Sequence, residues 1–193
     1  MTFVDVLRPE IARNRVGLLY DAVVVAAGSV LIALFARVAI PLPFSPVPIT
    51  GQTFAVLFIG ALLGSRKGGM AVILYLLEGI AGLPFFAGGS GGLTRLAGPT
   101  GGYLIGFVVA AFAVGLLAER GWDRRPGSTA LAMLIGNAII YAFGLPWLGR
   151  FVGWGNVLSL GLLPFIPGDL FKLALAAITL PMGWKFLGRL GKA

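Results

Sequence analysis

Long apolar runs alternate along this chain with short segments that hold most of its cations, and that alternation limits the solvent it can fold in. A soluble domain of 193 residues carries roughly a quarter charged residues, whereas this one carries 11% with 58% hydrophobic and a mean hydropathy of +0.96. Its apolar surface has to be solvated by lipid. The runs predict six spans, at 22–40, 53–64, 68–83, 101–118, 128–148 and 168–187. At ~1.5 Å per residue the second and third are short for a ~30 Å hydrocarbon core, so their ends or the local bilayer must adjust. The expectation is an all-α membrane protein, one domain over 1–193, with a short amphipathic surface segment within residues 1–20 holding Arg8, Arg13 and Arg15. No cleavable leader is evident, because the first apolar run is long and lacks a small-residue cleavage site.

Charge placement orients the spans. Eleven of the 15 Lys and Arg fall at the two ends of the chain and in the segments around Arg66, Lys67, Arg120, Arg124 and Arg125. Only Arg95 and Arg150 fall in the alternate loops, while Arg37 and Lys172 lie within spans. Cations gather on the cytoplasmic side of membrane proteins, so both termini are expected there, with the chain in a cell membrane. A net charge of +8 spread this way reads as membrane orientation, not nucleic-acid binding. Trp122 and Trp184 fall near the inner interface and Trp147 and Trp154 near the outer, as an aromatic belt would.

Three long loops then face outward: a proline-rich one over 41–52, a glycine-rich one after Pro84, and 149–167. Prolines 41, 43, 46 and 48 favour extended, stiff backbone. The stretch PFFAGGSGGLTRLAGPTGGYLIG carries eight glycines and a single cation, Arg95. Such density permits close backbone approach, yet neither a P-loop nor a dinucleotide-binding glycine pattern can be written onto it. With neither His nor Cys and only seven acids, the chain offers no catalytic triad, thiolate chemistry or histidine metal site, and an enzyme is the least expected class.

Ionisable groups inside a bilayer are retained for pairing or for ligands. Asp169 and Lys172, three apart, share a helix face; they read either as a self-neutralising pair or as a polar ligand site that Arg95 could join. Asn137 and Tyr141 share a face of the fifth span, and Gln52 ends the proline-rich loop. Tyr103, Trp147 and Phe86 could stack on an apolar ring, although each taken alone fits a belt or packing role better. Glu78 is expected to balance Arg37. Ala22, Ala26, Ser29, Ala33 and Ala36 form a smooth stripe on the first span, suited either to packing inside the bundle or to docking another membrane protein. Gly60-x-x-x-Gly64 and Gly102-x-x-x-Gly106 are shorter versions of it.

The segments PVPITGQTFAVLFIGALLGSRKGG, GLPFFAGGSGGLTRLAGPTGGYLIGF, GN-x-x-IYAFGLPWL and PFIPGDLFK together resemble the BioY family, biotin-specific S components of energy-coupling-factor (ECF) transporters. The resemblance implies an S-component bundle of six helices with a biotin cavity open to the outside. It carries Arg95, Asp169 and Lys172 over as binding residues, with Asn137, Tyr141 and Gln52 beside them. It also implies that Ala22 and Ala26 dock a transmembrane T subunit. Two ABC ATPase partners would supply ATP hydrolysis, since this chain has no Walker sequence, and no cofactor is expected on it. The rival readings are an S component for another vitamin and, from a different class, a small channel or structural membrane protein.

Overall fold

The computed structural model describes residues 2–7 and 15–189. Arg8, Arg13 and Lys192, and with them residues 8–14 of the expected amphipathic surface segment, lie outside the described residues. The elements are α1 (Phe3–Val6), α2 (Arg15–Ala36), a hairpin of β1 (Ala39–Leu42) and β2 (Ser45–Thr50), α3 (Gln52–Ile80), α4 (Leu93–Ala97), α5 (Gly101–Glu119), α6 (Pro126–Val152), α7 (Val157–Gly161) and α8 (Ile166–Arg189). Among the described residues five helices, α2, α3, α5, α6 and α8, are long and apolar enough to cross a membrane.

α3 is not one rod. Gly64 interrupts it at φ 80°, ψ 178°, a backbone region that essentially only glycine occupies. Beyond it the chain doubles back: Gln52 hydrogen-bonds Tyr75, although 23 residues of straight helix would hold them about 34 Å apart. Gly68 likewise lies against the backbone of Gly60. The new helix start is capped from outside, because Glu119 at the end of α5 accepts from the Ser65 backbone N–H at 2.7 Å and its hydroxyl at 2.8 Å. A carboxylate there satisfies orphan donors and complements the helix dipole.

α5 lies between α3 and α6, and small residues let it approach both. Gly60 faces the backbone of Ala111, Gly115 faces that of Ser65, and Gly102 faces Trp147 and Phe143 of α6. The short glycine pairs therefore pack inside the bundle. α2 flanks α3, and α8 flanks α6. The small-residue stripe on α2 divides: Ser29, Ala33 and Ala36 are buried, whereas Ala22 and Ala26 are exposed.

Four expectations change. The fold is mostly helical, but the proline-rich segment forms a two-stranded antiparallel hairpin with Ala39 opposite Thr50 and Ile40 opposite Ile49. Its ladder is irregular at Pro41, which has no N–H to donate. α2 ends at Ala36 and not near 40, since Pro41 biases Ile40 towards extended backbone. Glu78 accepts from the Ser29 hydroxyl and forms no ion pair with Arg37 among the described residues. Two tryptophans do more than line a belt. Trp184 is 7% exposed and donates to Asp123 at 2.5 Å, between the Phe3 ring at 5.1 Å and the Arg124 guanidinium at 4.4 Å. Burial pushes the Asp123 carboxyl above its ordinary range, against the opposing hydrogen bond from Trp184. Trp147 donates to the Gly98 carbonyl at 2.9 Å, holding the glycine-rich segment onto α6.

Candidate functional site

A cavity of about 350 Å³ lies under the β1–β2 hairpin and the glycine-rich segment, within the usual range for a small-molecule pocket. All six ligand candidates, Gln52, Arg95, Asn137, Tyr141, Asp169 and Lys172, line it. They come from four helices. Ala22 and Ala26 lie elsewhere, on the exposed face of α2.

The polar floor is built on α8. Its first turn carries Asp169 and the next carries Lys172, so the side chains share a face and sit 3.4 Å apart. The pair is not closed on itself. Asp169 also accepts from the Tyr141 hydroxyl, and Lys172 donates to Thr53 at 2.8 Å. A carboxylate has about four acceptor positions and an ammonium three donors, so both groups keep capacity for a ligand. Asn137, one turn before Tyr141, is buried with its side chain on the cavity wall.

Gln52 is placed differently. Its amide donates to Tyr75 and its carbonyl accepts from Thr50 at 3.1 Å, so much of its bonding capacity joins β2 to both arms of α3. The walls are aromatic and apolar. Phe86, Tyr103, Phe107 and Phe165 line them, Tyr103 being set edge-on to Tyr141 at 6.2 Å with its hydroxyl on the Gly161 carbonyl at 2.9 Å. Trp147, the third expected stacking ring, does not line the cavity. Ser45 pins the hairpin over it by donating to the Leu160 carbonyl at 2.7 Å.

Arg95, on α4, is exposed at the rim. The lining thus holds two cations against one acid, and the surplus positive charge stands apart from the floor. The arrangement can accept hydrogen bonds from N–H groups at Asp169, donate to a carbonyl from Lys172 or Asn137, enclose an apolar ring, and hold an anion at Arg95. Thr53, Ser45 and Phe165 belong to this site without having been singled out in the sequence. Thr53 follows Gln52 directly, yet nothing local marks it, because its partner Lys172 is 119 residues away. A wider groove of about 660 Å³ lies between α6 and α8, beyond Asn137, Tyr141 and Asp169. Its remaining lining is aliphatic apart from those three residues, with no cation, so the smaller polar cavity is the candidate site.

A biotin transporter BioY of Rhizobium etli is 39% identical over 158 residues, covering 78% of this chain and 84% of its own. A probable biotin transporter BioY of Pyrococcus horikoshii is 42% identical over 153 residues, covering 77% and 90%. Among solved structures, the S-component for biotin from an ECF-type ABC transporter, a crystal structure at 2.1 Å, superposes with a TM-score of 0.78 at 27% identity. The match covers 89% of this chain and 94% of that one. Several apolar helices and these relatives make the chain a multi-pass protein of the cell membrane. The BioY family model matches residues 10–189, nearly the whole sequence, and the chain belongs to the BioY family.

Proposed function

We propose that this chain is the biotin-capturing S component of an ECF-type ABC importer, a binding subunit and not an enzyme. The observation that carries the reading is the convergence of an acid, two cations, Asn137 and five aromatic rings on one cavity. Biotin has two ureido N–H donors, a ureido carbonyl, an apolar bicycle and a carboxylated tail. In this reading Asp169 accepts from the ureido N–H groups, Lys172 and Asn137 donate to the carbonyl, the aromatic walls hold the bicycle, and Arg95 attracts the carboxylate.

The two arms of α3 count as separate spans, which brings the total to six and leaves both termini in the cytoplasm, in agreement with the basic clusters. The cavity then opens outward. Transport against a gradient needs a T subunit and two ATPases, with Ala22 and Ala26 as the docking face. Their exposure on the part of α2 that packs least supports this.

Equilibrium binding of labelled biotin to the purified chain, with competition by other vitamins, tests the ligand. Absence of binding, or displacement by a different vitamin, sinks the assignment. Ala26→Trp tests docking. Biotin affinity should be retained and co-purification with the T subunit lost, because a large side chain holds the partner helix off. Loss of both or of neither defeats the docking face.

A further inference from the structure

The β1–β2 hairpin and the glycine-rich turn cover the cavity from two sides, and a side chain from the segment leading into the hairpin reaches the turn. Arg37 is the first residue after α2 and stands two before the start of β1. Its guanidinium lies against Gly89: a side chain there would begin 2.5 Å from a terminal nitrogen of Arg37. Gly88 and Gly89 have φ of +67° and +78°, so the turn presents bare backbone to that cation. The opposite side of the turn is anchored on its own. Phe86 is 2% exposed, packs edge-on against Tyr75 at 5.7 Å, and its N–H donates to the Ser90 carbonyl at 2.8 Å. Among the described residues no acid lies within ion-pair distance of Arg37, and Glu78 is engaged by Ser29. Arg37 does not line the cavity.

We propose that Arg37 is a positioning residue that clips the glycine-rich turn to the end of α2, so that turn and hairpin close over the ligand as one cover. The identity of the ligand rests on the biotin-capture reading; the clip rests on the geometry alone. Ala39 and Leu42 of the hairpin and Ala87 and Gly88 of the turn line the same cavity, so parting the two covers opens a gap above the ligand. Losing the clip leaves every ligand contact in place and acts on escape.

Arg37→Ala and Gly89→Ala, singly and together, test this on the purified chain by biotin association and dissociation rates and by amide hydrogen exchange of residues 86–90 without ligand. Either variant should speed dissociation about tenfold and change association less than about twofold. The double variant should be no worse than the worse single one, with exchange of the turn faster; the melting temperature of Arg37→Ala should be unchanged, whereas Gly89→Ala, at positive φ, carries its own backbone strain. An unchanged dissociation rate while biotin still binds overturns the proposal, as does unchanged exchange. So does a loss confined to association that disappears at high salt, which would make Arg37 a charge that steers anions. If the unaltered chain binds no biotin, the capture reading fails by itself and the exchange measurement still decides on the clip.

Discussion

Two lysines hold acids at opposite ends of the bundle, and they do different things. Lys67, beside the Gly64 break, stands 3.3 Å from Asp5 and 3.0 Å from Asp21. It joins α1, α2 and α3, and the cluster is completed by Thr2, whose N–H and hydroxyl donate to Asp5 at 3.0 and 2.8 Å. Acids outnumber the cation, and the protein meets the group's needs from its own donors. Lys172 has one acid, Asp169, and one hydroxyl, and it opens onto a cavity whose remaining charge is another cation. A cluster that is satisfied from within holds elements together. One left short of partners, in a cavity with charge to spare, is built for something that arrives.

Breaking the open cluster should have the largest effect. Asp169→Asn replaces a charge-assisted acceptor by a group that also donates, and should weaken biotin binding by about 1–3 kcal/mol with the fold intact. Calorimetric affinity and a melting curve check both halves; unchanged affinity removes Asp169 from the site. In the closed cluster the same kind of change should act on stability alone. Lys67→Met removes the cation that two carboxylates share and should cost about 1–2 kcal/mol. The full penalty of a buried pair is discounted because Asp5 and Asp21 are 39% and 30% exposed. Biotin affinity should not move, and a large drop in it would erase the distinction between the two ends.

Arg95→Ala should be milder still, roughly 0.5–1 kcal/mol of affinity, because the rim is exposed and water screens it. Raising the salt should shrink the difference between that variant and the parent; a salt-independent loss would mean that Arg95 acts by shape. The smallest effect is expected from acid. Burial pushes the Asp5 carboxyl up, but the hydrogen bonds from Thr2 and the nearby Lys67 ammonium outweigh it and hold it below its ordinary 3.8. A depressed carboxylate contributes stability that is present above pH 3.8 and lost as pH falls through the lowered value. Asp5→Asn should therefore remove less than about 1 kcal/mol at neutral pH, given the exposure of the group. It should also flatten the acid limb of the unfolding curve, and an unaltered acid limb would contradict this account.

What the sequence determined by itself is whatever a local pattern can carry. Apolar run length specified a membrane protein, and i,i+3 and i,i+4 spacing put Asp169 with Lys172 and Asn137 with Tyr141 on shared faces. Four prolines specified extended backbone, and the short second and third runs, broken at Gly64, specified a chain that has to reverse there. The convergence of those faces was decided only by tertiary structure. Tyr141 meets Asp169 across 28 residues and Lys172 meets Thr53 across 119, and no local periodicity encodes which helix packs on which. The same holds for the small-residue stripe on α2. Its five members are alike in sequence, yet packing buries Ser29, Ala33 and Ala36 and leaves Ala22 and Ala26 bare. Ser29 and Glu78 pair because packing against α3 brings them within reach, which also leaves Arg37 free to reach Gly89. A residue's own face follows from backbone geometry within a turn or two, whereas its partner follows from how close two helices can come. At Gly60 and Ala111, and at Gly102 and Trp147, that limit was set by side-chain volume on both helices at once.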